Sequence, residues 1–230
     1  MDSSAALREL DALIRERSIL AHPFYRAWER GELTRDQLAT YARIYYPHVR
    51  AFPSHLEAAI AHAHDEGTRA ELGDNLADER GNPAPHDELW LDFAEGVGAD
   101  RAHVVRAAPH HAAARIVSTF ESLAGESLAT GLAALYAYES QQPEVSRTKA
   151  EGLRTHYRVV DARTTAYFSV HEAADVRHRA GERAALAACL EAGVPAEAVH
   201  GAATRALDAY WGLLDGVCQE AGIDCEREVA

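Results

Sequence analysis

Apolar residues recur at helical intervals along almost the whole chain. The clearest stripe is Val199, Ala203, Ala206, Tyr210, Leu213 and Val217, which predicts one helix from about Pro195 to Ala221. No segment alternates apolar and polar residues over the length of a strand. Alanine is abundant, and Val and Ile are scarce. A first helix is expected from about Ser4 to Arg17. Pro23 opens a short one through Trp28, with Gly31 as its stop. Thr34-Arg35-Asp36-Gln37 has the form of a capping box, so a long helix should follow to about His64, bent near Pro47 and Pro53. Another covers about Thr68 to Arg80, and Gly81-Asn82-Pro83-Ala84-Pro85 must break it. Further helices are expected from His86 to about Gly96–Gly98, His110 to Ala124, Ser127 to Lys149 with a bend at Pro143, and Ala162 to Ala192. These segments predict an all-α fold of about seven or eight principal helices, the short Pro23–Trp28 segment aside, in one domain over residues 1–230 with no repeat or linker.

Composition narrows the function. The chain is long enough to bury a sizeable core. Its 23 basic and 36 acidic residues give a formal charge of -13, which argues against nucleic acid and anionic membranes as partners. No apolar run approaches the roughly 20 residues of a spanning helix, and Met1-Asp2-Ser3-Ser4-Ala5 does not read as a signal peptide. Cys189, Cys218 and Cys225 contain no CxxC pair. They suggest neither a disulfide framework nor a thiolate zinc site, and read as packing residues in a reducing cytoplasm, with Cys225 exposed.

Thirteen histidines are many for this length. Polar residues also stand where the helical pattern calls for apolar ones. Leu128, Leu132 and Leu135 mark an inward face whose next position is Glu139; Leu72 and Leu76 mark another whose next position is Glu79. A buried carboxylate is costly unless paired or bound to metal. His171, Asp175 and His178 fall within an arc of about 60° on one helix face. His86 opens the helix after Glu79. Three carboxylates and three imidazoles without a thiolate suit iron or manganese, and six residues suffice for two ions. Each element also has a plainer reading: a solvated face, a hydrogen-bonded core pair, a helix-end charge. It is their combination that favours a metal. His48, His55 and His62, at intervals of seven, read as a solvated or interface face, with one member at most lining a pocket.

Six segments stand in order along most of the chain: His22-Pro23-Phe24-Tyr25, Tyr45-Tyr46-Pro47-His48, Phe52-Pro53-Ser54-His55-Leu56, Asn75-Leu76-Ala77-Asp78-Glu79, Tyr138-Glu139-Ser140-Gln141-Gln142-Pro143-Glu144-Val145-Ser146, and the His171–Asp175–His178 helix. In their order and spacing the chain resembles the CADD-type branch of the haem-oxygenase-like dimetal oxidases. The resemblance implies a seven-helix fold of the kind shared with thiaminase-type and pyrroloquinoline-quinone-forming proteins. The implied ligands are Glu79, His86, Glu139, His171, Asp175 and His178, holding Fe/Fe or Fe/Mn. It also implies O2, an external reductant with an unidentified electron donor, and a homodimer. Members of this branch make 4-aminobenzoate for folate from their own tyrosine side chain, with a lysine as amino donor. The matching positions are Tyr25 and Lys149, and Tyr41, Tyr138 and Tyr167 match positions that relay an electron or radical. On a straight helix Lys149 would lie about 80° around from Glu139 and roughly 15 Å along, so the Pro143 bend must bring them to one site.

Three alternatives accompany this reading. A multi-turnover oxidase would share the ligands and act on a fatty-acid or amino-acid-like substrate, without need of Tyr25 or Lys149. A metal-free thiaminase-type relative would need a nucleophilic cysteine in a context that none of the three cysteines offers. A non-catalytic binding partner, the role recorded in the family's name, would have no use for six inward-facing ligands.

Overall fold

In the computed structural model, which describes residues 2–81 and 84–225, eleven α-helices and one short 3-10 turn make up the regular structure of the described residues. In chain order the helices are α1 (Ser3–Glu16), α2 (Pro23–Glu29), α3 (Arg35–Ala61), α4 (Glu66–Gly81), α5 (His86–Gly96), α6 (Arg101–Arg106), α7 (His111–Glu126), α8 (Leu128–Glu139), α9 (Gln142–Thr155), α10 (Ala162–Glu191) and α11 (Ala196–Ala221). The all-α expectation holds, but seven or eight helices is too few. The six-residue α6 was not foreseen, and the helix expected over 127–149 is two.

That division has a local cause. Pro143 lies in the first turn of α9, where its missing N–H costs nothing, so it starts a helix rather than bending one. Elsewhere the sequence signals act as read. Thr34 and Gln37 make the reciprocal capping-box hydrogen bonds that open α3. α3 then continues through Pro47 and Pro53. Gly31 and Gly222 adopt positive φ just past the ends of α2 and α11, a conformation that costs glycine little. Asn82 and Pro83 of the expected break after α4 lie outside the described residues.

α8 is the axis of the molecule. Every residue from Ala129 to Glu139 is buried, and α3, α7, α9, α10 and α11 all pack on it. Its small alanines let these neighbours approach closely. The stripe on α11 is buried as expected. Apolar residues from α1 through α11 form one core cluster. α9 approaches α2 at Gly152, where a Cβ would lie 2.5 Å from the Trp28 indole nitrogen.

Two expectations are corrected. His48 and His55 are buried at 0% and 2% exposure, not on a solvated face. They pack with Phe52, Phe120 and Tyr138, while His62 reaches the Gly125 carbonyl near the surface. Cys218 and Cys225 are bonded to each other rather than packing separately, and Cys225 is half-buried; the turn at Gly222 folds the chain back towards α11. Cys189 is free. No helix among the described residues is long and apolar enough to cross a membrane.

Candidate metal centre

Four helices bring the six expected ligands together. α4 contributes Glu79 from its last turn and α5 contributes His86 at its start. α8 contributes Glu139 at its end, and α10 presents His171, Asp175 and His178 from successive turns. All six are 5% exposed or less. They fall into two triads, Glu79–His86–His171 and Glu139–Asp175–His178. Within each, one ligand atom per residue lies within 4.8 Å of the others.

In the first triad, Glu79 Oε1 lies 2.9 Å from His86 Nδ1 and 3.7 Å from His171 Nε2. His171 Nδ1 is 2.7 Å from the Tyr167 carbonyl, which orients the ring and leaves Nε2 facing inward. Burial raises the Glu79 pKa, but hydrogen bonding from His171 and His86 outweighs it and brings the group down to about 2. In the second triad, His178 Nδ1 is 3.3 Å from Asp175 Oδ1, while Nε2 is 3.1 Å from Asp78 Oδ2. A carboxylate behind an imidazole is the usual support of a metal-ligating histidine. Asn75 donates to both oxygens of Glu139, at 2.9 and 3.1 Å.

The donors fit metal ions. His86 Nε2 and Asp175 Oδ2 are buried without a hydrogen-bond partner. Such atoms are costly unless something else satisfies them. Burial pushes Asp175 up to about 7, and burial with the Asp175 charge pushes Glu139 up to about 7. Each carboxylate therefore asks for a positive charge that the neighbouring side chains do not supply. The first triad offers two nitrogens and a carboxylate, a set used by both zinc and iron, and the second one nitrogen and two carboxylates; paired positions with carboxylates in both suit iron or manganese. A narrow cavity lined by Glu79, Glu139, His171, Asp175, Tyr138, Tyr167, Val49 and Phe52 joins the two. A third cluster, His22 with Cys218 and Cys225, has its donors already engaged. The sulfurs are bonded together, His22 Nδ1 accepts from the Phe24 N–H, and Nε2 lies 3.1 Å from Asp215.

Lys149 is the single lysine of the 230 residues; the other 22 basic residues are arginine. It is 1% exposed. Its Nζ lies 5.1–5.5 Å from the ring centres of Tyr25, Tyr41, Tyr45, Trp90 and Phe168. Burial alone pushes its pKa well below the usual lysine value, so the neutral amine is favoured. Tyr25 and Tyr41 are fully buried, and neither hydroxyl has a hydrogen-bond partner. Burial, then the neighbouring phenols, keep both protonated far above the ordinary range.

Aromatic contacts join this cage to the ligands. Tyr167 stacks on His171 at 4.0 Å and meets Trp90 edge-on at 4.8 Å; Trp90 stacks on Tyr45 at 4.8 Å and lies 5.6 Å from Tyr41. The Tyr138 hydroxyl, one residue before Glu139, is 2.8 Å from that of Tyr45, which donates to Tyr210 at 3.2 Å. Glu139 and Lys149 lie on different helices, α8 and α9, so the straight-helix separation does not apply to them.

Sequence reasoning assigned no role to several residues here. Asn75 and Asp78 lay inside a quoted motif, but their support of Glu139 and His178 is a tertiary fact. Tyr45 lay inside a quoted motif and Tyr210 in the α11 stripe, and Trp90 carried no sequence signal of its own. Glu182 was missed although the α10 spacing, carried one more turn, places it on the ligand face. The uniqueness of Lys149 was countable and went uncounted.

Residues 39–211 match the model of a family described as iron-containing redox enzymes. The 4-aminobenzoate synthase of Chlamydia trachomatis is 39% identical over 210 residues, covering 91% of this chain and 90% of that protein. The protein of the same name from Nitrosomonas europaea is 35% identical over 242 aligned positions, covering 100% and 98%. A CADD-like protein of Nostoc punctiforme shares the fold at a TM-score of 0.76 and 20% identity, covering 96% of this chain and 99% of that one. With four helices converging on paired carboxylate–imidazole triads and relatives at this identity across its length, the chain belongs to the haem-oxygenase-like iron-containing redox enzymes.

Proposed function

We propose that this oxidase makes 4-aminobenzoate from its own Tyr25, with Lys149 as the amino donor. Two metal ions, Fe/Fe or Fe/Mn, would be held by Glu79, His86 and His171 and by Glu139, Asp175 and His178. With O2 and an external reductant, such a centre supplies an oxidant able to take an electron or a hydrogen atom from a side chain.

The observation that carries the reading is the position of the only lysine. A chain that uses arginine for every other cation has no structural need of a buried lysine, because an unpaired amine in an aromatic cage costs stability. What lysine offers and arginine does not is a neutral, nucleophilic nitrogen. Tyr25 borders the same cage. Its ring and Cβ would become the ring and carboxyl carbon of the product, and the Lys149 nitrogen would replace the phenolic oxygen. Tyr41, Tyr138 and Tyr167 would carry the oxidising equivalent between the ligands and Tyr25 along the contacts described above. The surrounding core excludes water from these steps.

A self-consumed chain has a fixed ceiling. Metal-loaded protein given reductant and O2 is expected to yield at most one 4-aminobenzoate per chain, without added substrate, and then to stop. Quantifying product against protein by mass spectrometry checks this. Sustained turnover that depends on an added small molecule would instead establish a conventional oxidase.

A further inference from the structure

We infer that Glu182 is an additional ligand of the second metal position, completing a four-residue set with Glu139, Asp175 and His178. The inference rests on the dimetal reading above and extends it.

Glu182 follows His178 by four residues and Asp175 by seven on α10, so it lies about 40° and 20° from them around the helix axis. It is 3% exposed, and no basic or amide side chain donates to either of its oxygens; what it meets is another acid, the carboxyl group of Glu139, with Asp175 within reach of its charge. Glu139, Asp175 and His178 form one buried group, and Glu182 borders it beside Glu139, lining a common cavity with His178. A purely structural site would replace such a glutamate by an apolar residue, since a buried unpaired carboxylate is among the costliest groups to retain. A divalent cation reverses that balance. Three oxygens and one nitrogen make a hard donor set, suited to manganese or iron. Glu182 also lines a narrow cavity with Asn75, His178 and the exposed Glu71, so a cation arriving from solvent meets carboxylates on the way in. Among the described residues the first triad keeps Glu79 as its single carboxylate. The two positions therefore differ in chemistry, and Glu182 is the residue that widens the difference.

The rival role is that of a positioning residue, a protonated Glu182 that only holds Glu139. Glu182→Gln separates the two. Glutamine keeps the shape and can donate to Glu139, but it is a much poorer metal ligand. Chelated wild-type protein and the variant would be titrated with Mn(II), counting free ion by its electron paramagnetic resonance signal. Wild type is expected to bind two ions per chain. In Glu182→Gln the first should bind as before and the second at least about 10-fold more weakly. Two ions bound with wild-type affinities by the variant would overturn the assignment and leave Glu182 a positioning residue. A wild-type chain that takes up only one ion would overturn the dimetal reading itself, and this inference with it. Should the variant fail to fold, wild-type crystals soaked in Mn(II) decide. An anomalous peak within about 2.6 Å of a Glu182 oxygen supports ligation, and a second-site peak beyond that distance refutes it.

Discussion

Replacing Tyr25 by phenylalanine is expected to abolish 4-aminobenzoate formation while metal uptake and O2 consumption continue. The substitution removes one hydroxyl that has no hydrogen-bond partner and leaves the ring packed against Phe24. Its effect on stability should be below about 1 kcal/mol. The effect on chemistry should be far larger. A phenol yields an electron and a proton to an oxidant, whereas a phenyl ring with no heteroatom does so reluctantly and has no oxygen for nitrogen to replace. Product should fall by on the order of 10²-fold or more, the scale of losing a reacting group. Measuring product, bound metal and O2 uptake on the same sample separates this from misfolding. Undiminished 4-aminobenzoate from Tyr25→Phe would mean that the chain does not consume Tyr25.

Lys149→Met is expected to act in opposite directions on activity and stability. Methionine matches the length of the lysine stem and suits an aromatic cage. The nitrogen source disappears, so product should vanish. The folded protein should gain roughly 1–3 kcal/mol near neutral pH, the cost of burying an unpaired polar group. The sign of the pH dependence follows from the lowered pKa. Between the folded value and the unfolded value of about 10.4, the unfolded chain holds a proton that the folded chain does not. Wild-type stability therefore rises with pH through that window relative to the variant. The ionisation part of the penalty is complete below the folded pKa and gone above about pH 10.4, leaving only the cost of burying the neutral amine. Denaturant unfolding of both proteins from pH 7 to pH 10 should show the variant's advantage shrinking. A Lys149→Met protein less stable than wild type at pH 7 would mean that the amine has a partner which offsets its burial.

These predictions lean on residues the sequence made legible to different degrees. The capping box at Thr34, the stop at Gly31 and the buried stripe of α11 are local signals, and local signals survive folding. The six candidate ligands were legible for a related reason: a carboxylate or imidazole on an apolar helix face announces its burial wherever that face packs. The break before Pro143 could be read two ways, because proline both bends helices and opens them; the tertiary packing of α9 decides it. His48 and His55 were misread as solvated because their helix is apolar on more than one face. α3 is packed by α4, α5, α7, α8 and α11, and no stripe rule anticipates a helix surrounded in this way. The Cys218–Cys225 bond depends on the return of the chain after Gly222, which spacing alone does not reveal. The aromatic cage is tertiary throughout. Tyr25, Tyr41 and Tyr45, Trp90, Lys149 and Phe168 come from five helices, so no window of sequence contains it.

Because Lys149 is the only lysine, isotope labelling of that residue type marks a single atom position in each chain. Protein grown with ε-15N-lysine and ring-13C-tyrosine would be loaded with iron, or with iron and manganese, and then given reductant and O2. The small-molecule fraction would be analysed by mass spectrometry. The account predicts 4-aminobenzoate carrying both labels, with the Tyr25 side chain and the Lys149 amine lost from the corresponding peptides. Product with a labelled ring but unlabelled nitrogen would remove Lys149 from its role. Unlabelled product, or none from a metal-loaded protein that consumes O2, would contradict the central claim that the chain is its own substrate.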